Sequence, residues 1–374
     1  MSRLGTSVAV AVSAALLASL YRKWDSLRYD VQWALKPRPP GTAELETDAW
    51  TRSVVHFNSQ GVRLEAWLYT PRRCATDPAQ LASGDCRVPI IIMAHGMGHQ
   101  KDMALTKFAD VFASGGAAVF VFDYRQVGGF GGSDGEPRHL ISPAMLRQDW
   151  AAAVEFVASG ALGPQCDTNR LGLWGSSYSG GLVITTAATL PKPLAARIKA
   201  VVSNVPYMDA VATFKDAIAR HGLRKVLPVV AAAMHGYVRR AFGASPPYMP
   251  MLSWKGEFAM LSCDEAEMAP YMASLPEQKL GGWQNLAVTT FMLETSLFSP
   301  SFSITKFKAP LLLVVGAKDN VVPPSAVRDA ARSRAAAGLP MTLHEFDLAH
   351  FDVYHGAGFD TVAPIMAKFF AANL

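Results

Sequence analysis

Five short, almost wholly apolar runs constrain this chain more than any other feature: VPIIIMA (88–94), AAVFVFD (117–123), RLGLW (170–174), KAVVSN (199–204) and PLLLVVG (310–316). A strand with one wet face alternates apolar and polar residues; runs without that alternation suit parallel strands covered on both faces. Helix-period segments fill the gaps, at 101–114, 143–159, 178–189 and 324–337. Before them, 53–58 and 62–69 alternate around Ser59-Gln60-Gly61 and read as a hairpin. After them, 341–346 reads as the last strand and 360–372 as a closing helix. Strand–helix alternation of this kind predicts an α/β fold with a doubly wound sheet.

One interval breaks the rhythm. Between Asn204 and Ala309 no strand is expected, and helical pieces are punctuated by Pro-Pro, Pro-Glu and Gly-Gly. Eight of the chain's 15 Met residues lie here. Met fills irregular packing, and an apolar insertion beside a sheet edge also contributes to ligand pockets. Residues 205–308 are therefore expected to form a helical cap, with the core at 52–204 and 309–374 and a linker at 25–51.

Residues 1–24 contain an apolar stretch, 8–20, with Arg3 before it and Arg22-Lys23 after it. It fits a secretory signal or short membrane anchor, with a transit peptide or a mature helix as alternatives. A secreted or membrane-anchored location is the favoured expectation, with membrane association through this segment. The formal charge is +5, and three of those cations lie in the leader. The remainder carries too little positive charge for a nucleic-acid partner. Cys74 and Cys86 bracket one polar loop, which they would staple in an oxidising compartment and leave as thiols in a reducing one.

The chemistry concentrates in RLGLWGSSYSGG (170–181), a strand running into a tight turn and a helix. A nucleophile elbow needs small residues two before and two after its serine, because the turn brings backbones together. Centred on Ser177 the flanks are Gly175 and Ser179; centred on Ser179 they are Ser177 and Gly181. Ser177 is preferred, since it leaves Gly180-Gly181 for helix packing. A serine needs a base and an acid that orients it. Asp319, after the strand at 310–316, is the candidate acid, with Asp347 as competitor. His350, after the last strand, is the candidate base, with His344 and His355 as alternatives. Backbone N–H groups of Met97 and Tyr178 are the candidates to stabilise an oxyanion.

With these pieces in chain order, the sequence from Arg52 onward resembles the α/β-hydrolases. The resemblance rests on AHGMGHQKD (94–102), FDYRQVGGFGGSDGEPR (122–138), LWGSSYSGG (173–181), GAKDNVVPP (316–324) and HFDVY (350–354). It is similar to a branch holding dienelactone-hydrolase-like enzymes, bacterial hydrolases of unassigned substrate and fungal polyketide transferases. The resemblance implies a mostly parallel eight-stranded sheet with an inserted cap, Ser177 as nucleophile, Asp319 as acid, His350 as base, and Met97 and Tyr178 as oxyanion donors. It implies no metal or organic cofactor. Two departures stand out: Ser179 where the family has glycine, and the extra residues Gln126-Val127-Gly128 in a loop bordering the family's active site.

The expected activity is cleavage of an ester or thioester through an acyl-enzyme, on a small-molecule substrate with an apolar or bulky acyl group. Transfer of that acyl to an alcohol or amine is the alternative. A ligand-binding protein on a hydrolase scaffold is a third reading, opposed by the presence of all three triad residue types.

Overall fold

The structure, a computed structural model, describes residues 44–72, 87–128, 132–253, 259–275 and 282–374. The leader and the Cys74–Cys86 loop lie outside these residues. In chain order the elements are β1 (Leu45–Glu46), β2 (Trp50–Ser59), β3 (Val62–Pro71), β4 (Val88–Ala94), α1 (Leu105–Ser114), β5 (Ala118–Phe122), α2 (Pro143–Ala158), β6 (Cys166–Ser176) and α3 (Tyr178–Thr189). There follow α4 (Lys192–Ala195), β7 (Ile198–Asn204), α5 (Ala210–His221), α6 (Leu223–Ala241), β8 (Tyr248–Met249), β9 (Leu252–Ser253), β10 (Leu261–Ser262), α7 (Glu265–Ala273), β11 (Ala287–Val288) and α8 (Phe291–Thr295). The chain closes with β12 (Leu311–Gly316), α9 (Pro324–Ala336), β13 (Met341–Phe346) and α10 (Gly356–Asn373).

Nine strands form one sheet in the order β1-β2-β3-β5-β4-β6-β7-β12-β13. The first three strands and the β3–β5 pair are antiparallel; every pair from β5 to β13 is parallel. The apolar runs supply its middle. All of β5 and β12 is buried, as is β4 except Pro89, because helices cover both faces. The edge strand β13 has no buried residue: Thr342, Leu343 and Glu345 are exposed and the others half-buried.

Two expectations need correction. The sheet has nine strands, not eight, because Leu45 and Glu46 pair with Arg52 and Thr51, and β2 begins at Trp50. Sheet pairing thus reaches into the span 25–51. Trp50 secures this start by donating its indole N–H to Asp110 on α1 at 2.6 Å and packing edge-on against Tyr69. The interval 205–308 also holds four two-residue strands, paired as β8–β11 and β9–β10. Strands that short leave no periodicity for a sequence to display.

The parallel strands all end on one edge of the sheet, where the segments after β4, β6, β12 and β13 carry the candidate site residues. Open α/β sheets bind ligands at that edge.

Candidate active site

Ser177 sits between β6 and α3 with φ 57° and ψ −121°, a conformation forbidden to most side-chain-bearing residues. Holding it costs about 1–3 kcal/mol, which the surroundings must over-determine. They do so through backbone pairing: Ser177 N–H donates to Asn204 O at 2.9 Å, while Gly180 and Tyr207 N–H donate to Ser177 O. The turn is also too tight for a side chain at Gly175, where a Cβ would stand 2.2 Å from Ser179 O. At Gly96, on the facing loop, a Cβ would lie 3.0 Å from the Ser177 Cβ.

His350 lies 3.0 Å from Ser177 Oγ through Nε2 and 2.7 Å from Asp319 Oδ2 through Nδ1. A carboxylate only accepts hydrogen bonds, so Nδ1 carries the proton and Nε2 faces Ser177 with its lone pair. The other Asp319 oxygen accepts from Val321 and Val322 N–H at 2.9 and 2.8 Å. Both His350 and Asp319 are 2% exposed. Burial alone would push the His350 imidazole down, but the charge and hydrogen bond of Asp319, joined by Glu267, hold it above the usual histidine value of 6.5.

The competing residues stand elsewhere. Asp347 is 77% exposed and pairs with Lys318 at 2.8 Å. His344 stacks on Phe346 of the edge strand, and His355 is the N-cap residue of α10. Ser179 is wholly buried, its Oγ bonded to Tyr124 Oη at 2.8 Å and near the Trp150 indole N–H. Its extra atoms are therefore accommodated on the far side of the elbow.

Tyr178 opens α3, so its N–H has no intrahelical acceptor. Met97 lines the same cavity as Ser177, on a loop pinned from several directions. Trp283 donates to Gly98 O at 2.7 Å, His99 Nδ1 to Met97 O at 2.8 Å, and Lys101 N–H to Asp123 at 2.7 Å. The Lys101 ammonium is buried between Asp123 and Glu65. Burial pushes the His99 imidazole down to about 4, so it is neutral at physiological pH.

A cavity of about 140 Å³ opens over Ser177. Its walls are mainly apolar: Met97, Tyr207, Phe214, Val229, Met260 and Phe291 are among them. Of these walls Tyr207 and Phe291 pack against Tyr178, and Phe298 packs against Tyr178 and stacks on Tyr207. Among the described residues Gln126-Val127-Gly128 do not line this cavity. Nor do three or more His, Cys, Asp or Glu side chains among them gather in an arrangement that could hold a metal ion.

Glu267 is a residue that sequence reasoning missed. From α7 it accepts Phe351 N–H at 2.7 Å and the Asn320 amide at 2.9 Å, tying the cap to the loops of both His350 and Asp319. Burial pushes its carboxyl up, opposed by those donors and by His350. In the sequence it is one of three acids at a helix start, which suit the helix dipole without any further role.

A mostly parallel sheet, a strained serine between strand and helix, and loops carrying Asp and His after later strands define an α/β-hydrolase. The chain belongs to the family described as "Serine aminopeptidase, S33", matched over residues 86–349. It is 30% identical to the quorum-quenching protein AidA of Acinetobacter baumannii (strain MDR-ZJ06), over 82% of this chain and 90% of that one. It is 26% identical to the polyketide transferase af380 of Aspergillus fumigatus, over 84% and 95% of the two chains. The solved structure of DcsB with a substrate analogue superposes with a TM-score of 0.67 at 23% identity, covering 86% of this chain and all of that one, and speaks for the fold alone.

Proposed function

We propose that this α/β-hydrolase cleaves esters or thioesters of apolar acyl groups through an acyl-enzyme. The observation that carries the reading is the unbroken chain Ser177 Oγ–His350 Nε2, His350 Nδ1–Asp319, with Ser177 lining an apolar cavity. Ser177 Oγ attacks the carbonyl carbon while His350 takes its proton, and Asp319 holds the imidazole and stabilises its charged form. The carbonyl oxygen becomes an anion between the N–H groups of Met97 and Tyr178. His350 returns the proton to the leaving oxygen or sulfur, then activates water to release the acid.

The cavity is close in size to one that accommodates a benzene-sized ligand, about 150 Å³. Each buried methylene adds about 0.8 kcal/mol, near a fourfold gain. The specificity constant for p-nitrophenyl esters is therefore expected to rise from acetyl to at least hexanoyl. A steady fall beyond four carbons would sink the apolar-pocket reading and leave the triad reading standing.

Catalysis needs a neutral His350. Because Asp319 and Glu267 raise its affinity for a proton, the acid limb of kcat/KM should lie above pH 6.5. Glu267→Gln removes one of those charges and should move the limb to lower pH. An unmoved limb would mean that Glu267 acts on the fold and not on the imidazole.

The polyketide transferase relative supports a second reading, in which the acyl group passes to an alcohol or amine. Product analysis with and without acceptors separates the two.

A further inference from the structure

Helix α6, the longest in the cap, is apolar on both sides. One side, with Val226, Val229, Ala232, Ala233 and Gly236, is buried. The other carries Leu223, Leu227, Met234 and Val238, each 52–58% exposed, and runs on to Phe242, 86% exposed. Their spacing of four, seven, four and four residues sets them in one stripe along the helix. Val211 and Phe214 of α5 are exposed as well. Phe214 also lines the cavity that reaches Ser177, as do Lys225 and Val229 from the other side of α6, so the α5–α6 pair borders that cavity. Apolar surface this continuous, rimmed by polar groups, is a mark of an interaction site.

The charge on this face selects the partner. From Asp209 to Phe242 the chain has six Lys and Arg against two Asp. Asp216 pairs with Arg220 at 2.7 Å, and Asp209 accepts the Ala212 N–H as an N-cap. Lys215, Arg224, Lys225 and Arg240 are all exposed. An apolar stripe edged by cations matches an anionic lipid surface. A second copy fits poorly, since a two-fold contact would set these cations against themselves. The chain's own apolar segment 8–20 fits no better, because Arg3, Arg22 and Lys23 flank it and no acid precedes Asp25.

We propose that the α5–α6 face docks on anionic membranes, with α6 lying along the headgroup plane. Among the described residues no helix is long and apolar enough to cross a membrane, so α6 rests on the surface. The cavity wall at Phe214 then lies next to lipid. If the hydrolase reading above holds, an apolar acyl group enters the cavity without crossing water.

The test uses the full chain and vesicles of phosphatidylcholine, alone or mixed with phosphatidylglycerol, containing a phospholipid with a photoreactive acyl chain. Trypsin releases Val226–Arg239, most of the stripe, as one peptide. Adducts on it should be at least about tenfold more abundant with phosphatidylglycerol present and should fall with added salt. Equal labelling on both vesicles, or adducts confined to other peptides such as those of residues 1–24, would overturn the proposal. So would a dimer in sedimentation equilibrium that dissociates when Leu227→Glu, Met234→Glu and Val238→Glu are combined. The Ser177→Ala protein should label like the wild type, so docking is judged apart from catalysis.

Discussion

Ser177→Ala is expected to abolish labelling by a fluorophosphonate probe and to lower kcat by about a millionfold, the order seen when a hydrolase nucleophile is removed. Ser179→Ala should keep both within about tenfold. The difference follows from where the two hydroxyls stand: Ser177 Oγ is 3.0 Å from His350 Nε2, whereas Ser179 Oγ is buried against Tyr124 and Trp150. Removing Ser179 Oγ leaves the Tyr124 hydroxyl and Trp150 indole with one partner fewer, costing about 1–3 kcal/mol of stability without touching the chemistry. Mass spectrometry of the labelled peptide decides it. An adduct on Ser179 would place the elbow in the other register.

Asp319→Asn should lower kcat by about ten thousandfold with little change in fold. The amide can turn its NH2 toward His350 Nδ1, which then accepts; Nε2 must carry the proton and can no longer take one from Ser177. Asparagine keeps an oxygen for the Val321 and Val322 N–H groups, so the loop retains its anchor. Asp347→Asn, at an exposed surface pair with Lys318, should leave kcat within about twofold and stability within ~1 kcal/mol. Steady-state kinetics of the two variants with far-UV spectra as a fold control make the comparison. Equal losses in both would mean that the acid is not Asp319.

Much of the site was legible because its parts are local. The run 170–181 combines a buried strand, residues small enough for a sharp turn, and glycines where α3 meets Pro206 and Tyr207. Asp319 follows an apolar run visible in the chain, His350 follows the short last strand at 341–346, and they occur in the order this fold requires. Strand ends, turns and helix starts are set by interactions within a few residues, so a sequence can display them.

What the sequence could not display depends on contacts between distant segments. Tyr124, 55 positions from Ser179, gives the hydroxyl at this position a hydrogen-bond partner. Glu267 reaches Phe351 across 84 positions, and Trp283 reaches Gly98 across 185. Neither residue stands in a motif, because its role exists only once the cap has folded over the sheet. The exposed stripe of α6 is the plainest case. Nothing in the sequence separates Leu223, Leu227, Met234 and Val238 from Val226 and Val229, since hydrophobicity alone carries no direction. Which face α6 turns to the cavity and which to its surroundings is settled by the packing of α8 and of Thr289 and Thr290 against Gly236, where a side chain would have no room.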